Sequence, residues 1–348
     1  MGDGLAVHRP VAFARPLIVR SGLPPPRTGR DPTRVPAEAS NRWERALSQA
    51  HVRASARLLR VRPTTAQAIT TMLAAIEIFA RPPRFGHHDV MLSASELEQF
   101  AEQGFVHLRS AFPSHLADEC RDFAATQLSI DVNDSTSWCE PVVRGLVEGE
   151  PLRAAANSPR LLEAIHQLLD PDPWLSRPNL GLFVVRFPTE ADPGDAGWHI
   201  DSSFESPDRR WYVNYRSRQR GLLLLCLLSD VDVEDAPTRI MAGSHLKIPS
   251  LLRPFGDDGV FGLHAPLPES TEPITLATGE AGDVYLCHPF LLHAASWPHR
   301  GTAPRFVAQP PISLAGDVRL EGGDDELSPV GRAVKTGLHH LYPRRGTI

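Results

Sequence analysis

The second half of the chain consists of short apolar stretches separated by turn residues. Eight segments of strand-like composition follow one another from Leu180 onward: Leu180–Phe187, Trp198–Asp201, Leu222–Leu228, Thr238–Met241, Ile274–Ala277, Asp283–Cys287, Leu291–Ala295 and Arg305–Ile312. About eight strands at this spacing predict a jelly roll or a β-barrel. The unbroken apolar run Leu222–Leu228 is typical of a strand that is buried on both faces.

Helices are expected before these strands. Ser93 and Glu96 have the spacing of a capping box, which predicts a helix that begins there and ends at Gly104. The alternating stretch Phe105–Leu108 predicts a strand. Further helices are expected to begin at Pro113-Ser114 and at Ser158-Pro159, the latter extending to Leu169. Helices first and strands afterwards favour a mainly β fold in which the helices buttress one face of the sheet.

The composition divides the chain into three parts. Residues 1–90 carry 14 arginines against 6 acidic residues, and residues 1–40 are rich in proline and glycine, so partial disorder is expected. Met91 directly precedes the first well-formed helix, and our hypothesis is that translation begins there naturally. An apolar stripe over residues 69–79 leaves open a docking helix or a targeting segment. Residues 91–320 are expected to form the main domain, and residues 321–348 a C-terminal tail.

Charge and cysteine usage restrict the partners. After residue 90 the chain carries 22 basic and 35 acidic residues, which argues against a nucleic-acid-binding protein. The apolar runs are too short to cross a bilayer, and no signal peptide opens the chain. The cysteines are scattered without a paired motif, as is typical of buried thiols in a reducing cytoplasm: Cys120, Cys139, Cys226 and Cys287. We therefore expect a cytoplasmic monomer or homodimer with a small-molecule partner, without a nucleic-acid or membrane partner.

His199-Ile200-Asp201 is the motif that carries chemistry. In an extended segment, residues i and i+2 point to the same face, so His199 and Asp201 would share one space. Such a pair is two-thirds of the two-histidine, one-carboxylate set that holds non-haem Fe(II). With 15 histidines and 41 acidic residues, about two His-x-acid matches arise by chance, and the other is His87-His88-Asp89.

A second histidine has to come from another strand to complete this set. Gly282-Asp283 predicts a turn before the strand Val284–Cys287, and Pro289 ends that strand. His293 follows early on the return strand, and Arg305 begins the last one. The downstream candidates are His245, His264, His288, His293, His299, His339 and His340. On spacing alone, His293 is more typical of an ordinary buried histidine, and Arg305 is more typical of an ordinary surface arginine at a strand end.

The order of these parts resembles the phytanoyl-CoA dioxygenase-like family of Fe(II)/2-oxoglutarate oxygenases. The resemblance runs from about Leu92 to about Leu314 and includes the helix-Gly-Phe opening Leu97–Phe105 and the turn Gly243-Ser244-His245. It implies a double-stranded β-helix, a jelly-roll or cupin-like fold. It further implies Fe(II) as cofactor with 2-oxoglutarate and O₂ as co-substrates.

The resemblance also assigns roles to residues. The family's metal ligands match His199, Asp201 and His293, with His288 left as an alternative to His293. Its 2-oxoglutarate arginine matches Arg305, whose planar guanidinium suits a carboxylate.

The second anchor of 2-oxoglutarate is less well defined by the resemblance. Ala295 stands where the family often has a serine, with Ser296 one residue later. Ala236-Pro237 also replaces the family's usual Gly-Pro. Thr238 and Arg186 are the remaining candidates for this anchor.

The implied reaction is oxidative decarboxylation of 2-oxoglutarate to succinate and CO₂, coupled to oxidation of a substrate C–H bond. Halogenating relatives have alanine or glycine in place of the metal carboxylate, so the presence of Asp201 favours hydroxylation. Two alternatives remain open. One is a zinc or manganese isomerase or hydrolase on the same barrel, and the other is a barrel that binds a ligand without turnover.

The segment between Asp201 and Leu222 interleaves aromatic residues with arginines. A loop of this length beside a metal site predicts a lid over an anionic organic substrate. The alternative is a solvent-exposed loop whose aromatic rings pack on the barrel wall. The lid residues would include Phe204, Arg209, Trp211 and Arg216.

Overall fold

The computed structural model of the protein describes residues 18–19, 91–261 and 273–339. Several sequence predictions lie outside these residues: the stripe over 69–79, His87, Asp89, His264 and His340.

The described residues contain both helices and strands, and the strands outnumber the helices. The α-helices are α1 Ala94–Gln103, α2 Ser114–Leu128, α3 Glu150–Ala156, α4 Pro159–Leu169, α5 Ile248–Leu252 and α6 Pro329–His339. The strands are β1 Ile18–Val19, β2 Phe105–Leu108, β3 Val142–Leu146, β4 Leu182–Arg186, β5 Phe204–Glu205, β6 Trp211–Val213, β7 Leu222–Leu227, β8 Arg239–Met241, β9 Val260–Phe261, β10 Ile274–Leu276, β11 Val284–Cys287, β12 His293–Ala294, β13 Arg305–Ala308 and β14 Pro311–Ile312.

Every strand pair is antiparallel, and the pairs form three sheets. The large sheet has the order β1-β3-β4-β13-β7-β11-β2, with β14 also paired to β7. The second sheet has the order β10-β8-β12, and the third has the order β5-β6-β9. A mainly β fold with antiparallel sheets and a few helices is therefore confirmed.

Strand β7 lies at the centre of the core and explains the apolar run predicted there. Leu222, Leu224 and Cys226 belong to the apolar cluster that includes the buried faces of the helices. Leu223, Leu225 and Leu227 belong to a second cluster, which contains Ile240 of β8 and Val307 of β13. Because alternate side chains point to opposite faces, a strand between two apolar layers has to be apolar throughout.

The helix boundaries follow the local signals in the sequence. The Ser93 backbone N–H donates to Glu96 Oε2 at 2.7 Å, and the Glu96 N–H donates to Ser93 Oγ at 3.3 Å, so the capping box is formed. Helix α1 ends at Gly104, whose φ of 83° is left-handed. Strand β2 and helices α2 and α4 also lie where the sequence predicts them.

Two local predictions are wrong in detail. Within the predicted strand Trp198–Asp201, only His199 forms a β-bridge, and its partner is His293. The partner strand β12 is itself only two residues long. The predicted loop between Asp201 and Leu222 contains β5 and β6, which pair with each other and with β9.

Helix α6 lies within the segment expected as a tail. Its Val330 and Val334 are fully buried in the main apolar cluster, so this helix packs against the body of the domain.

The structure also bears on the membrane and cysteine predictions. Among the described helices, none combines the length and the apolar character needed to cross a membrane. Three of the four free cysteines are buried as expected, whereas Cys139 is exposed.

Replacing Gly104 with alanine tests the junction between α1 and β2. A Cβ at this position would lie 2.5 Å from His245 Nδ1 and 2.8 Å from Leu291 Cδ1, in addition to the left-handed φ. We expect the free energy of unfolding to fall by more than the about 1–2 kcal/mol of the left-handed backbone alone, measured by urea denaturation. The control is Gly316→Ala, where a Cβ meets no atom within 4 Å and a change of under about 0.5 kcal/mol is expected. Equal effects at both positions would contradict the packing described here.

Candidate metal centre

A reciprocal backbone pair joins the two histidines of the predicted site. The His199 N–H donates to the His293 carbonyl and the His293 N–H donates to the His199 carbonyl, both at 3.0 Å. The two imidazole rings lie with their centroids 4.4 Å apart. Asp201 follows two residues after His199, so its carboxylate extends into the same space.

The three side chains converge on one point. Asp201 Oδ1 lies 3.9 Å from Nε2 of His199 and 3.9 Å from Nε2 of His293. The three ligand atoms all lie within 4.8 Å of one another, which is a spacing that one metal ion could bridge.

The hydrogen bonds on the far side of each ring fix its tautomer. His199 Nδ1 lies 2.9 Å from the Gly197 carbonyl, and His293 Nδ1 lies 3.1 Å from the Leu291 carbonyl. A carbonyl can only accept, so Nδ1 carries the proton and donates in both residues. Each Nε2 therefore keeps a free lone pair directed at Asp201, which is the state that a metal ligand requires.

The centre is buried on one side and open on the other. The His293 and Asp201 side chains are 11% and 18% exposed, whereas the His199 side chain is 43% exposed. The exposed side of the centre is therefore that of His199.

Charge and burial set the protonation states of this site. Burial raises the pKa of Asp201, but the Arg220 guanidinium and the two imidazoles outweigh that effect, so its pKa lies below the ordinary value. Burial lowers the pKa of His293 to about 4, with His199 adding to the effect. An ionised carboxylate and a neutral imidazole are the forms that bind a metal.

Arg305 is a buried cation without a carboxylate partner among the described residues. It is 2% exposed, one of its Nη atoms donates to the Ala236 carbonyl, and its Nε has no hydrogen-bond partner. Burial lowers its pKa to about 9, with nearby Arg186 adding to the effect. An unpaired buried charge is costly, so this position favours an anionic ligand.

Arg186 lies beside Arg305 on the neighbouring strand and already has a partner. The two residues are paired in register between β13 and β4, and Arg186 donates to Asp195 Oδ2 at 2.5 Å. Arg144 of β3 also forms an ion pair with Asp195. Sequence reasoning missed Arg144 and Asp195, because nothing local shows that these distant segments meet.

Thr238 lies close to the carbonyl that holds Arg305. It is 5% exposed and follows Ala236 by two residues. The Ser296 hydroxyl donates to the Pro237 carbonyl at 2.6 Å, so it is engaged by the same segment.

Two of the other candidate histidines, His288 and His245, have structural partners. His288 Nδ1 accepts from the Phe290 N–H at 3.1 Å, and its Nε2 donates to the Val330 carbonyl at 3.4 Å. His245 is fully buried, and its Nε2 donates to the Ala101 carbonyl at 3.2 Å. Neither belongs to the convergent group.

The arginines of the segment between Asp201 and Leu222 all have acidic partners. The ion pairs are Arg209–Glu205, Arg210–Asp208, Arg216–Asp257, Arg216–Glu321, Arg218–Asp317 and Arg220–Asp201. Phe204 is buried, and the Arg218 guanidinium lies over its ring at 4.9 Å. The positive charge of this segment is therefore largely neutralised by the protein itself.

The buried His245 predicts a pH dependence of stability. Burial lowers its pKa to about 4 from the ordinary 6.5, so the unfolded chain takes up a proton in this range while the folded chain does not. The free energy of unfolding should therefore fall as the pH drops from 6.5 to about 4, with His245 contributing up to about 3 kcal/mol. We expect His245→Gln to reduce this fall in urea denaturation, with the same replacement at exposed His115 as control. An unchanged fall in the His245 variant would contradict this assignment.

Comparison with solved structures finds similar chains at low identity. HygX from Streptomyces hygroscopicus, solved with nickel, 2-oxoglutarate and hygromycin B, is 19% identical with a TM-score of 0.42, over 64% of this chain and 88% of that one. The carbocyclase SnoK from nogalamycin biosynthesis is 15% identical with a TM-score of 0.41, over 64% and 84%. GIG2 from Candida albicans is 16% identical with a TM-score of 0.49, over 66% and 65%. None of the three reaches a TM-score of 0.5.

The family is shown by a match to the chain's own sequence. A search of curated proteins finds no significant match. The family model of phytanoyl-CoA dioxygenase (PhyH) matches residues 100–307, which is more than half of the 348 residues. Fe(II), 2-oxoglutarate and O₂, which the sequence led us to expect, are the cofactor and co-substrates of this family. The chain belongs to the phytanoyl-CoA dioxygenase family.

Proposed function

We propose that the protein is an Fe(II)- and 2-oxoglutarate-dependent dioxygenase that hydroxylates a small organic molecule and releases succinate and CO₂. The observation that carries this proposal is the convergence of His199, Asp201 and His293 on one point. Buried Arg305, without a carboxylate partner among the described residues, supports it.

The strand order supports a double-stranded β-helix as the scaffold. Four strands of the large sheet run in the order β4-β13-β7-β11. Opposite them, the His199 bridge extends the second sheet to the order His199-β12-β8-β10. The second apolar cluster lies between these two layers. In this proposal residues 91–320 form the catalytic domain.

The donor set fits Fe(II). Two imidazoles with free Nε2 atoms and one carboxylate are the donor set of non-haem Fe(II) sites and would leave room on the ion for further ligands. Bound Fe(II) would supply the redox chemistry that couples O₂ to the oxidation of 2-oxoglutarate and substrate. His199, Asp201 and His293 would hold the ion, and their buried side would exclude water from it.

The second carboxylate of 2-oxoglutarate is assigned to Arg305. Its guanidinium is held in place by the Ala236 carbonyl and has an unpartnered Nε. Arg186, which is paired in register with Arg305, and Thr238 are proposed as further anchors. Arg186 shares Asp195 with Arg144, so it would bind the co-substrate through its remaining donors.

The segment after Asp201 is proposed as the wall of the substrate site. Phe204, Trp211, Arg209 and Arg216 lie on this segment. Because Arg209 and Arg216 pair with Glu205 and Glu321, binding of an anion there would require these ion pairs to break.

The four free cysteines support a cytoplasmic location for this enzyme. In this proposal it acts as a monomer or a homodimer.

Buried Arg305 and the complete set of metal ligands distinguish the proposed dioxygenase from the two alternative functions. A metal-dependent isomerase or hydrolase on the same barrel has no need of a buried cation at Arg305. A barrel that only binds a ligand has no need of a complete set of metal ligands.

Replacing Asp201 with alanine tests the function. The variant lacks the only carboxylate in the convergent group, so we expect Fe(II)-dependent succinate formation from 2-oxoglutarate to fall below detection. The measurement is succinate quantified by chromatography, in the presence and absence of Fe(II). Asp118→Ala, which removes an exposed carboxylate on α2, is the control and should keep wild-type activity. Succinate formation by the Asp201 variant at the wild-type rate would exclude the proposed function.

Arg305→Gln tests the co-substrate site separately from the metal. The loss of a charge-assisted hydrogen bond of about 1.5–3 kcal/mol should raise the KM for 2-oxoglutarate by roughly 10- to 100-fold. Binding of Fe(II), followed by anaerobic calorimetry, should stay close to wild type. Exposed Arg300→Gln is the matched control. An unchanged KM in the Arg305 variant would remove this residue from the co-substrate site.

A further inference from the structure

Arg220 donates a hydrogen bond to the carboxylate of Asp201 in the candidate metal centre. One of its Nη atoms donates to Asp201 Oδ2 at 2.7 Å, and the other donates to the Ser202 carbonyl at 2.7 Å. The guanidinium thus binds the side chain of Asp201 and the backbone of the next residue together. The Arg220 side chain is only 11% exposed.

The backbone around Arg220 is fixed by a turn immediately before β7. The Arg220 N–H donates to the Ser217 carbonyl at 3.0 Å, and the Ser217 hydroxyl donates to the Arg220 carbonyl at 2.8 Å. The next residue, Gly221, donates to the Ile312 carbonyl at 2.8 Å. The backbone of Arg220 is therefore held in place directly before β7 of the large sheet.

The Arg220–Asp201 ion pair differs from the exposed ion pairs of Arg209 and Arg210 in the same segment. Arg209 and Arg210 are exposed and pair with acids four and two residues away. Arg220 reaches an acid 19 residues earlier in the chain and is largely buried with it. Exposed pairs of the first kind contribute little to stability, whereas breaking a buried pair leaves an uncompensated charge.

The two oxygens of Asp201 have separate environments. Oδ2 is engaged by Arg220, whereas Oδ1 lies 3.9 Å from both Nε2 atoms. A carboxylate held in this way presents one oxygen to an ion at that point.

We propose that Arg220 is a positioning residue that makes Asp201 bind the metal through Oδ1 alone. This inference rests on the proposed function. Binding through one oxygen would leave room on the ion for 2-oxoglutarate and O₂, whereas binding through both oxygens would leave less.

The pair also sets the charge of the centre. The Arg220 guanidinium cancels the charge of the Asp201 carboxylate, so a divalent ion there keeps its full charge of two toward the open side. That charge attracts a doubly charged keto acid such as 2-oxoglutarate.

The test compares Arg220→Met and Arg220→Lys with wild type under anaerobic conditions. Methionine fills similar space without charge or donors, and lysine keeps the charge but loses the planar fork. Arg121→Met is the matched control, because Arg121 forms ion pairs with Asp118 and Asp122 on α2, away from the centre. Calorimetry measures Fe(II) binding and then 2-oxoglutarate binding, and the visible spectrum of the Co(II)-loaded protein reports the coordination number.

We expect Arg220→Met to weaken Fe(II) binding by roughly 10- to 100-fold, as is usual for groups that orient a metal ligand. Its Co(II) spectrum should change shape, and 2-oxoglutarate should bind the metal-loaded protein more weakly. Arg220→Lys should fall between Arg220→Met and wild type, and Arg121→Met should equal wild type.

The outcomes separate this inference from the proposed function. If wild type binds Fe(II) and 2-oxoglutarate but the Arg220 variants show the same affinities and the same Co(II) spectrum, only the role of Arg220 is overturned. If wild type binds neither, both proposals are overturned. Circular dichroism of the metal-free proteins checks the fold, and if Arg220→Met does not fold, the affinities and spectrum of Arg220→Lys decide.

Discussion

The pairing of His199 with His293 is the interaction on which the rest of the site depends. Two backbone hydrogen bonds of 3.0 Å join segments that are 94 positions apart in the chain. They align both rings with their Nε2 atoms toward Asp201, and local carbonyls fix the Nδ1 protons. His293 is also paired in register with Ile240 of β8, so the second sheet holds this pairing in place.

Burial of charge is the second constraint, and the protein compensates most of it internally. Arg220 neutralises Asp201, and Asp195 neutralises part of the charge of Arg144 and Arg186. Arg305 is the exception, because within the described part of the chain its guanidinium pairs with a backbone carbonyl and with no carboxylate. Arg144, Arg186 and Arg305 together carry more positive charge than Asp195 can neutralise, and such an excess of buried positive charge favours an anionic ligand.

Local signals in the sequence predicted much of the fold. The Ser93 cap, the apolar run of β7 and the two-residue spacing of His199 and Asp201 all report on nearest neighbours, and the structure agrees with each. Strand β3 was missed because Val142–Leu146 is short and includes Arg144 and Gly145. The choice of Arg220 from five arginines in one segment depends on a contact across 19 residues, which no local pattern records.

The most direct test of the central claim is to locate the metal and the co-substrate in a crystal grown anaerobically with Fe(II) and 2-oxoglutarate. Anomalous diffraction at the iron edge identifies the ion independently of the protein density. We expect one peak bonded to Nε2 of His199, Nε2 of His293 and Oδ1 of Asp201, with the far carboxylate of 2-oxoglutarate on Arg305. An iron peak bonded to other residues, or a co-substrate carboxylate held away from Arg305, would contradict the account.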